Sequence, residues 1–141
     1  MKALNFGMLV ILLAAAAWAD DDADRAKLAG SWQLEDTAAK EAGTWSFQNQ
    51  GASMHITHVA LDQTSTQYEC ATSGRECDFA TSGKPGKVSL WFNGAKLVQL
   101  ETRGAEVVKR RFLVKDNHLE MEVIPISPTG KTETIFLQPK P

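Results

Sequence analysis

Several residue groups in this chain are of the types that chemistry uses, and their spacing decides what each could do. His118, Glu120 and Glu122 alternate, so on a strand they share one face, where an imidazole and two carboxylates could hold a metal or move protons. Pairing the flanking segments as a hairpin sets Arg111 opposite Glu122, which makes that face a solvated, salt-bridged surface instead. His55 and His58 are three apart and point to opposite sides of a strand, though they would share a face on a helix. The serines lack a Gly-x-Ser-x-Gly setting, and Gly83-Lys84-Pro85-Gly86 lacks the length and the Lys-Ser/Thr end of a phosphate loop. With no nucleophile, metal set or cofactor motif in view, the chain reads as non-catalytic.

Arg110 and the cysteines stand apart from these surface groups. By alternation Arg110 shares a face with Val108, Phe112 and Val114, so its guanidinium lies inside the fold or at its mouth. A guanidinium there needs a partner. Two fit: the ring of Trp32, in a closing cation–π contact, or the acidic group of a bound molecule. Cys70 and Cys77 flank Ala-Thr-Ser-Gly-Arg-Glu, a spacing that suits a disulfide across a hairpin and lacks the Cys-x-x-Cys form of a redox pair.

The elements that must position these residues are strands. From Val88 to Ile126, four runs rich in β-branched, aromatic and alternating residues are separated by Asn93-Gly94, Gly104 and Asp116-Asn117, the pattern of an antiparallel meander. A turn at Asp116-Asn117 pairs Val114 with Leu119, Phe112 with Met121 and Arg110 with Val123, while Arg111 meets Glu122 on the other face. Extending the apolar face through a three-residue loop at Gly104 brings in Val108, Val98 and Leu100. A similar loop at Asn93-Gly94 adds Val88, Leu90 and Phe92. Asn-Gly more often makes a two-residue turn, which would bring Trp91 inward; continuity of the apolar face favours the longer loop.

Earlier in the chain, a helical turn from Asp24 to Ala29 leads into a first strand at Gly30 to Glu35. Thr37 to Gly43 is a loop or single turn, and strands follow at Trp45 to Gln48, Met54 to Leu61, Thr66 to Cys70 and Cys77 to Ala80. Ser82 to Gly86 is a loop by composition, and the last strand runs from Thr132 to Leu137. The sum is an all-β chain of roughly eight to ten short strands, a small antiparallel up-and-down barrel.

Lys2, the apolar run from Phe6 to Ala17 and the end Ala17-Trp18-Ala19 read as a signal peptide over residues 1–19. Residues 20–26, with Asp20, Asp21, Asp22 and Asp24, then form an acidic, solvated mature N-terminus, and residues 27–141 form one barrel domain. The apolar run is shorter than the roughly 20 residues of a membrane span, so no stable span remains after cleavage. The protein is therefore expected in the periplasm or outside the cell, where a disulfide persists. A net charge of −2 with scattered basic residues excludes a nucleic-acid face.

Gly30-Ser31-Trp32, placed just before the first strand of such a chain, resembles the opening of a lipocalin-like (calycin) domain, of the small secreted bacterial type. In that family the glycine and tryptophan mark the first strand after a short helical turn, the tryptophan plugs the closed end of the barrel, and a late basic residue packs across it. Gly30 and Trp32 match this pattern; the last strand, ending Leu137-Gln138-Pro139-Lys140, has no arginine. The expected function is non-catalytic binding of a small, mostly apolar or amphipathic molecule, with Val98, Leu100, Phe112 and Met121 as walls and Arg110 orienting any acidic group. The alternative is a barrel filled by its own side chains that acts as a protein-interaction or structural module through an apolar patch around Trp91 and Leu97.

Overall fold

The computed structural model describes residues 15–34 and 43–141. Helix α1 (Ala15–Leu28) precedes ten strands: β1 (Gly30–Leu34), β2 (Gly43–Gln50), β3 (Ser53–Ala60), β4 (Ser65–Ala71), β5 (Cys77–Thr81), β6 (Lys84–Asn93), β7 (Lys96–Arg103), β8 (Glu106–Lys115), β9 (His118–Ser127) and β10 (Glu133–Pro139). They form one antiparallel up-and-down sheet in the order β4-β3-β2-β1-β10-β9-β8-β7-β6-β5. Pairing of β1 with β10, through Trp32 and Pro139, joins the two ends of the chain and curls the sheet into a barrel. The ends of that order, β4 and β5, meet without a backbone ladder, and the Cys70–Cys77 disulfide ties them. Closing so short a loop stabilises the fold by roughly 2 to 3 kcal/mol on the chain-entropy estimate.

The last hairpin follows the expected register. Asp116 and Asn117 have positive φ, which suits a two-residue turn, and Val114 pairs with Leu119, Phe112 with Met121, Arg110 with Val123 and Arg111 with Glu122. The two earlier loops do not have three residues. Gly94-Ala95 and Gly104-Ala105 are two-residue turns, each with a positive-φ glycine first, so Phe92 pairs with Leu97 and Leu97 with Phe112. The two one-residue differences cancel across β7. As a result β6 and β8 face as expected and β7 alone is flipped.

That flip corrects two expected wall residues. Val98 and Leu100 face outward, beside Trp91 and Ser89 of β6, because Leu97, Gln99 and Glu101 take the inward positions of β7. Val98 is still buried, but outside the core cluster. Leu97 lies in the core and cannot contribute to an outer patch with Trp91. A second correction concerns Ser82 to Gly86, where the turn is limited to Ser82-Gly83 and β6 already starts at Lys84. Gly86 belongs in that strand because a Cβ there would come within 2.5 Å of the Phe79 ring.

The N-terminal helix is longer than the single turn expected and runs through the acidic stretch; its many alanines favour helix. It lies against one end of the barrel. Leu28 is buried there, its carbonyl accepts a 3.0 Å hydrogen bond from Trp32 Nε1, and Trp32 is buried at that end. Arg25 ties the helix to the turns at the same end. It donates to the Gly51 carbonyl (2.8 Å) and to Thr72 Oγ1, and its guanidinium lies 5.5 Å from the centre of the Phe92 ring. The Thr37–Gly43 loop lies, apart from Gly43, outside the described residues, as does most of the 1–19 segment.

Arg25→Ala should therefore loosen the plugged end. The expected outcome is a loss of about 1 to 2 kcal/mol in stability, seen as a lower urea midpoint at unchanged slope. An unchanged midpoint would mean that the helix is not seated by Arg25.

Candidate functional site

At the barrel end away from α1, a cleft of about 320 Å³ opens between the β3–β4 turn and the start of β8. Its rim carries Asp62, Thr64 and Glu106, and its walls carry His58, Ala60, Thr66, Thr81, Arg103 and Val108. Glu101 and Arg110 form its inner end. The β7 turn chemistry explains why these residues converge: with Gly94 and Gly104 closing two-residue turns, Gln99, Glu101 and Arg103 all point into the barrel at period two.

Glu101 is the hub. Its carboxylate accepts from Arg103 Nε at 2.6 Å on one oxygen and from Arg110 Nη1 at 3.1 Å on the other. Both Glu101 and Arg110 are buried, at 8% and 6% exposure. The same Arg110 Nη1 donates to Gln99 Oε1 at 3.0 Å, and Gln99 Nε2 donates in turn to the Tyr68 hydroxyl. Two guanidiniums share this one carboxylate, that of Arg110 buried and that of Arg103 partly exposed. Such a group is costly to take out of water, so it contributes more to selectivity than to stability.

Aromatic rings pack against the cluster from below. The Arg110 guanidinium lies 5.5 Å from the centre of the Trp45 ring, and His58 stacks on that ring at 4.0 Å with planes 10° apart. The expected closing contact of Arg110 with Trp32 is therefore corrected: the ring under Arg110 is Trp45, while Trp32 sits at the plugged end with Leu28. Trp45 also meets Phe112 at 5.2 Å, and Phe112 meets Phe47 edge-on at 5.1 Å. Phe112 and Met121 face inward as expected and are fully buried in the core; neither lines the cleft. Beneath the aromatic layer, Met54, Ile56 and Leu119 complete a filled interior.

The remaining sequence candidates fall where alternation put them. His55 and His58 point to opposite faces of β3. His118, Glu120 and Glu122 lie on the outer face, where Glu122 pairs with Lys96 at 3.2 Å. Among the described residues no three His, Cys, Asp or Glu side chains group as a metal site would. Sequence reasoning missed Tyr68, Gln99, Glu101 and Arg103. The usable signal was Gln99-x-Glu101-x-Arg103, three polar residues at period two on a strand bounded by glycine turns.

Two ionisations carry the physics of the site. At the rim, the Thr64 backbone amide donates to Asp62 at 2.9 Å and holds that carboxyl below its ordinary range. Inside, burial pushes the Tyr68 hydroxyl well above the ordinary phenol range, against the hydrogen bond from Gln99 that favours ionisation. The unfolded phenol loses its proton near pH 10, whereas the folded one keeps it. This contribution to stability is intact below about pH 10 and is lost as the pH rises further. Tyr68 is the only tyrosine in the chain, so phenolate absorbance reads it directly. The absorbance should rise only as the protein unfolds at high pH; a reversible midpoint near 10 in the folded state would contradict the buried setting.

The chain matches no protein-family model, and no curated protein matches it. Solved structures do share its fold. A secretory abundant heat soluble protein from Ramazzottius varieornatus superposes with a TM-score of 0.68 at 11% identity, over 81% of this chain and 96% of that one. Fatty-acid-binding protein 1 of Echinococcus granulosus gives 0.67 at 9%, over 82% and 99%. A Schistosoma mansoni fatty acid binding protein in complex with arachidonic acid gives 0.68 at 16%, over 84% and 99%. The shared fold is an antiparallel up-and-down β-barrel, here with ten strands among the described residues.

Proposed function

We propose that the chain is a non-catalytic binding protein that takes a small amphipathic molecule into the cleft opposite α1, with its acidic end toward Arg103 and Arg110. The observation that carries this reading is the Glu101–Arg103–Arg110 cluster, with Glu101 and Arg110 buried, at the inner end of a 320 Å³ cleft. That volume lies at the small end of the range for ligand sites, and the guanidinium donors of Arg103 and Arg110 at its inner end suit a carboxylate. The apolar part of the ligand packs on Val108, Ala60 and the threonine methyl groups, because Trp45 and Phe112 fill the space below. The ligand is therefore shorter and more polar than one spanning the whole interior. Two of the similar barrels are fatty-acid-binding proteins, one of them in complex with arachidonic acid, which supports an amphipathic acid as the chemical class.

Export fits the same reading. A leading apolar segment ending Ala17-Trp18-Ala19, with cleavage after Ala19, and the Cys70–Cys77 disulfide both support a periplasmic or extracellular protein. The lipocalin-like affiliation rests on Gly30 and on Trp32 at the plugged end. A second reading has one observation of its own: Trp45, Phe47, Met54, Ile56, Phe112, Leu119 and Met121 are all at most 2% exposed, as in a barrel filled by its own side chains. In that case the outer surface does the binding, as a protein-interaction or structural module.

Calorimetric titration with octanoate and with octanol separates the two. Octanoate should bind saturably and octanol about tenfold more weakly or worse, the difference made by charged hydrogen bonds. Arg103→Met, at the partly exposed end of the cluster, should weaken octanoate about tenfold while leaving octanol unchanged. No saturable binding of either probe would overturn the reading in favour of the self-filled barrel.

A further inference from the structure

Among the described strands the barrel wall lacks a backbone ladder at one place, where β4 and β5 meet at the two ends of the sheet order. Side chains close it. Cys70 is bonded to Cys77, Tyr68 meets the Phe79 ring with centres 5.3 Å apart, and Thr66 Oγ1 lies 2.8 Å from Thr81 Oγ1. These contacts step two residues at a time along both strands in a single antiparallel register. The covalent rung is at the α1 end and the hydroxyl rung at the cleft end. Arg103 braces the seam from inside: its guanidinium lies 5.2 Å from the centre of the Phe79 ring, and Nη2 donates to Thr66 Oγ1 at 3.5 Å. The seam therefore adjoins the Glu101 cluster, and Tyr68 belongs to both.

Elsewhere in the sheet adjacent strands are held by ladders such as the eight paired residues of β2 with β3. Opening the wall at the seam breaks none of these bonds, so local opening is easiest there. The disulfide is the contact that does not come apart by thermal motion.

We propose that the β4–β5 seam is a gate into the barrel interior and that the Cys70–Cys77 disulfide holds it shut. A dithiol reductant opens the latch. Its thiolate attacks the sulfur of Cys77, the more exposed of the two cysteines, and the Cys70 thiolate leaves and takes up a proton. The reductant's second thiol then displaces Cys77 and closes the reductant's own disulfide, so that two electrons and two protons pass to the protein. With the rung gone, β4 and β5 stay joined at the α1 end by the 72–76 connection and are held beyond it by one ring contact, one hydroxyl pair and the Arg103 brace, so the wall parts from the cleft end, beside Tyr68, Gln99 and Arg110. That this opening speeds ligand entry rests on the binding function proposed above; the opening itself does not.

Amide hydrogen exchange of the full chain, with and without dithiothreitol, tests the gate. Reduction should speed exchange about tenfold or more along Ser65–Ala71 and Cys77–Thr81 and leave β8 and β9 unchanged. Uniform acceleration across all strands would make the disulfide a general staple, and unchanged exchange would leave the seam closed without it; either overturns the gate. Thr81→Val with the disulfide intact guards against a reduced chain that fails to fold. It should speed exchange around Thr66 and Thr81 only, and acceleration spread over the barrel would overturn the proposal. Octanoate should associate faster with the reduced protein. If octanoate binds neither form while the local exchange response is present, the binding reading fails and the gate stands.

Discussion

One carboxylate, that of Glu101, holds two guanidiniums inside a barrel of apolar walls, and much of the molecule is arranged to make that possible. A buried arginine without a partner would cost more than the fold could absorb. Arg110 is met on one side by Glu101 and Gln99 and on another by the Trp45 ring, while Arg103 reaches from Glu101 to the edge of β4. The cluster thus connects the aromatic layer below it, the cleft above it and the seam beside it. Its position follows from the register of β7, which is set in turn by two glycines that allow two-residue turns.

The same register shows how far the sequence could be read. The hairpin at Asp116-Asn117 was legible because both of its faces carry a signal: apolar pairs on one side, and Arg111 opposite Glu122 on the other. Strand β7 offered the opposite case. Val98 and Leu100 are apolar and alternate as readily as Leu97 and the residues after it, so apolar continuity favoured the wrong face. The inward residues Gln99 and Glu101 look like surface residues when taken alone. Arg110 was recognisable as inward facing, but its partner was not, since the reading that turned Val98 inward turned Glu101 out. Trp32 and the disulfide were legible from context: a glycine-x-tryptophan before a first strand, and two cysteines across a hairpin tip.

What position alone could not convey is how the interior divides. Phe112 and Met121 do face inward, yet aromatic packing of Trp45, Phe47 and Phe112 separates a filled lower half from a polar upper cleft. This layer depends on ring geometry across β2 and β8, which sequence spacing does not encode. On the binding function proposed above, a barrel built in this way would take a charged end and a short apolar body and would exclude a long chain unless the aromatic layer moved.

The location of a bound ligand is therefore the most direct test. Nuclear Overhauser contacts measured from isotope-labelled protein to unlabelled octanoate should reach Val108, Thr66 and Thr81 and be absent for Leu119 and Met121. Contacts to Leu119 or Met121 would show the acid in the lower half of the barrel and contradict the division on which the account rests.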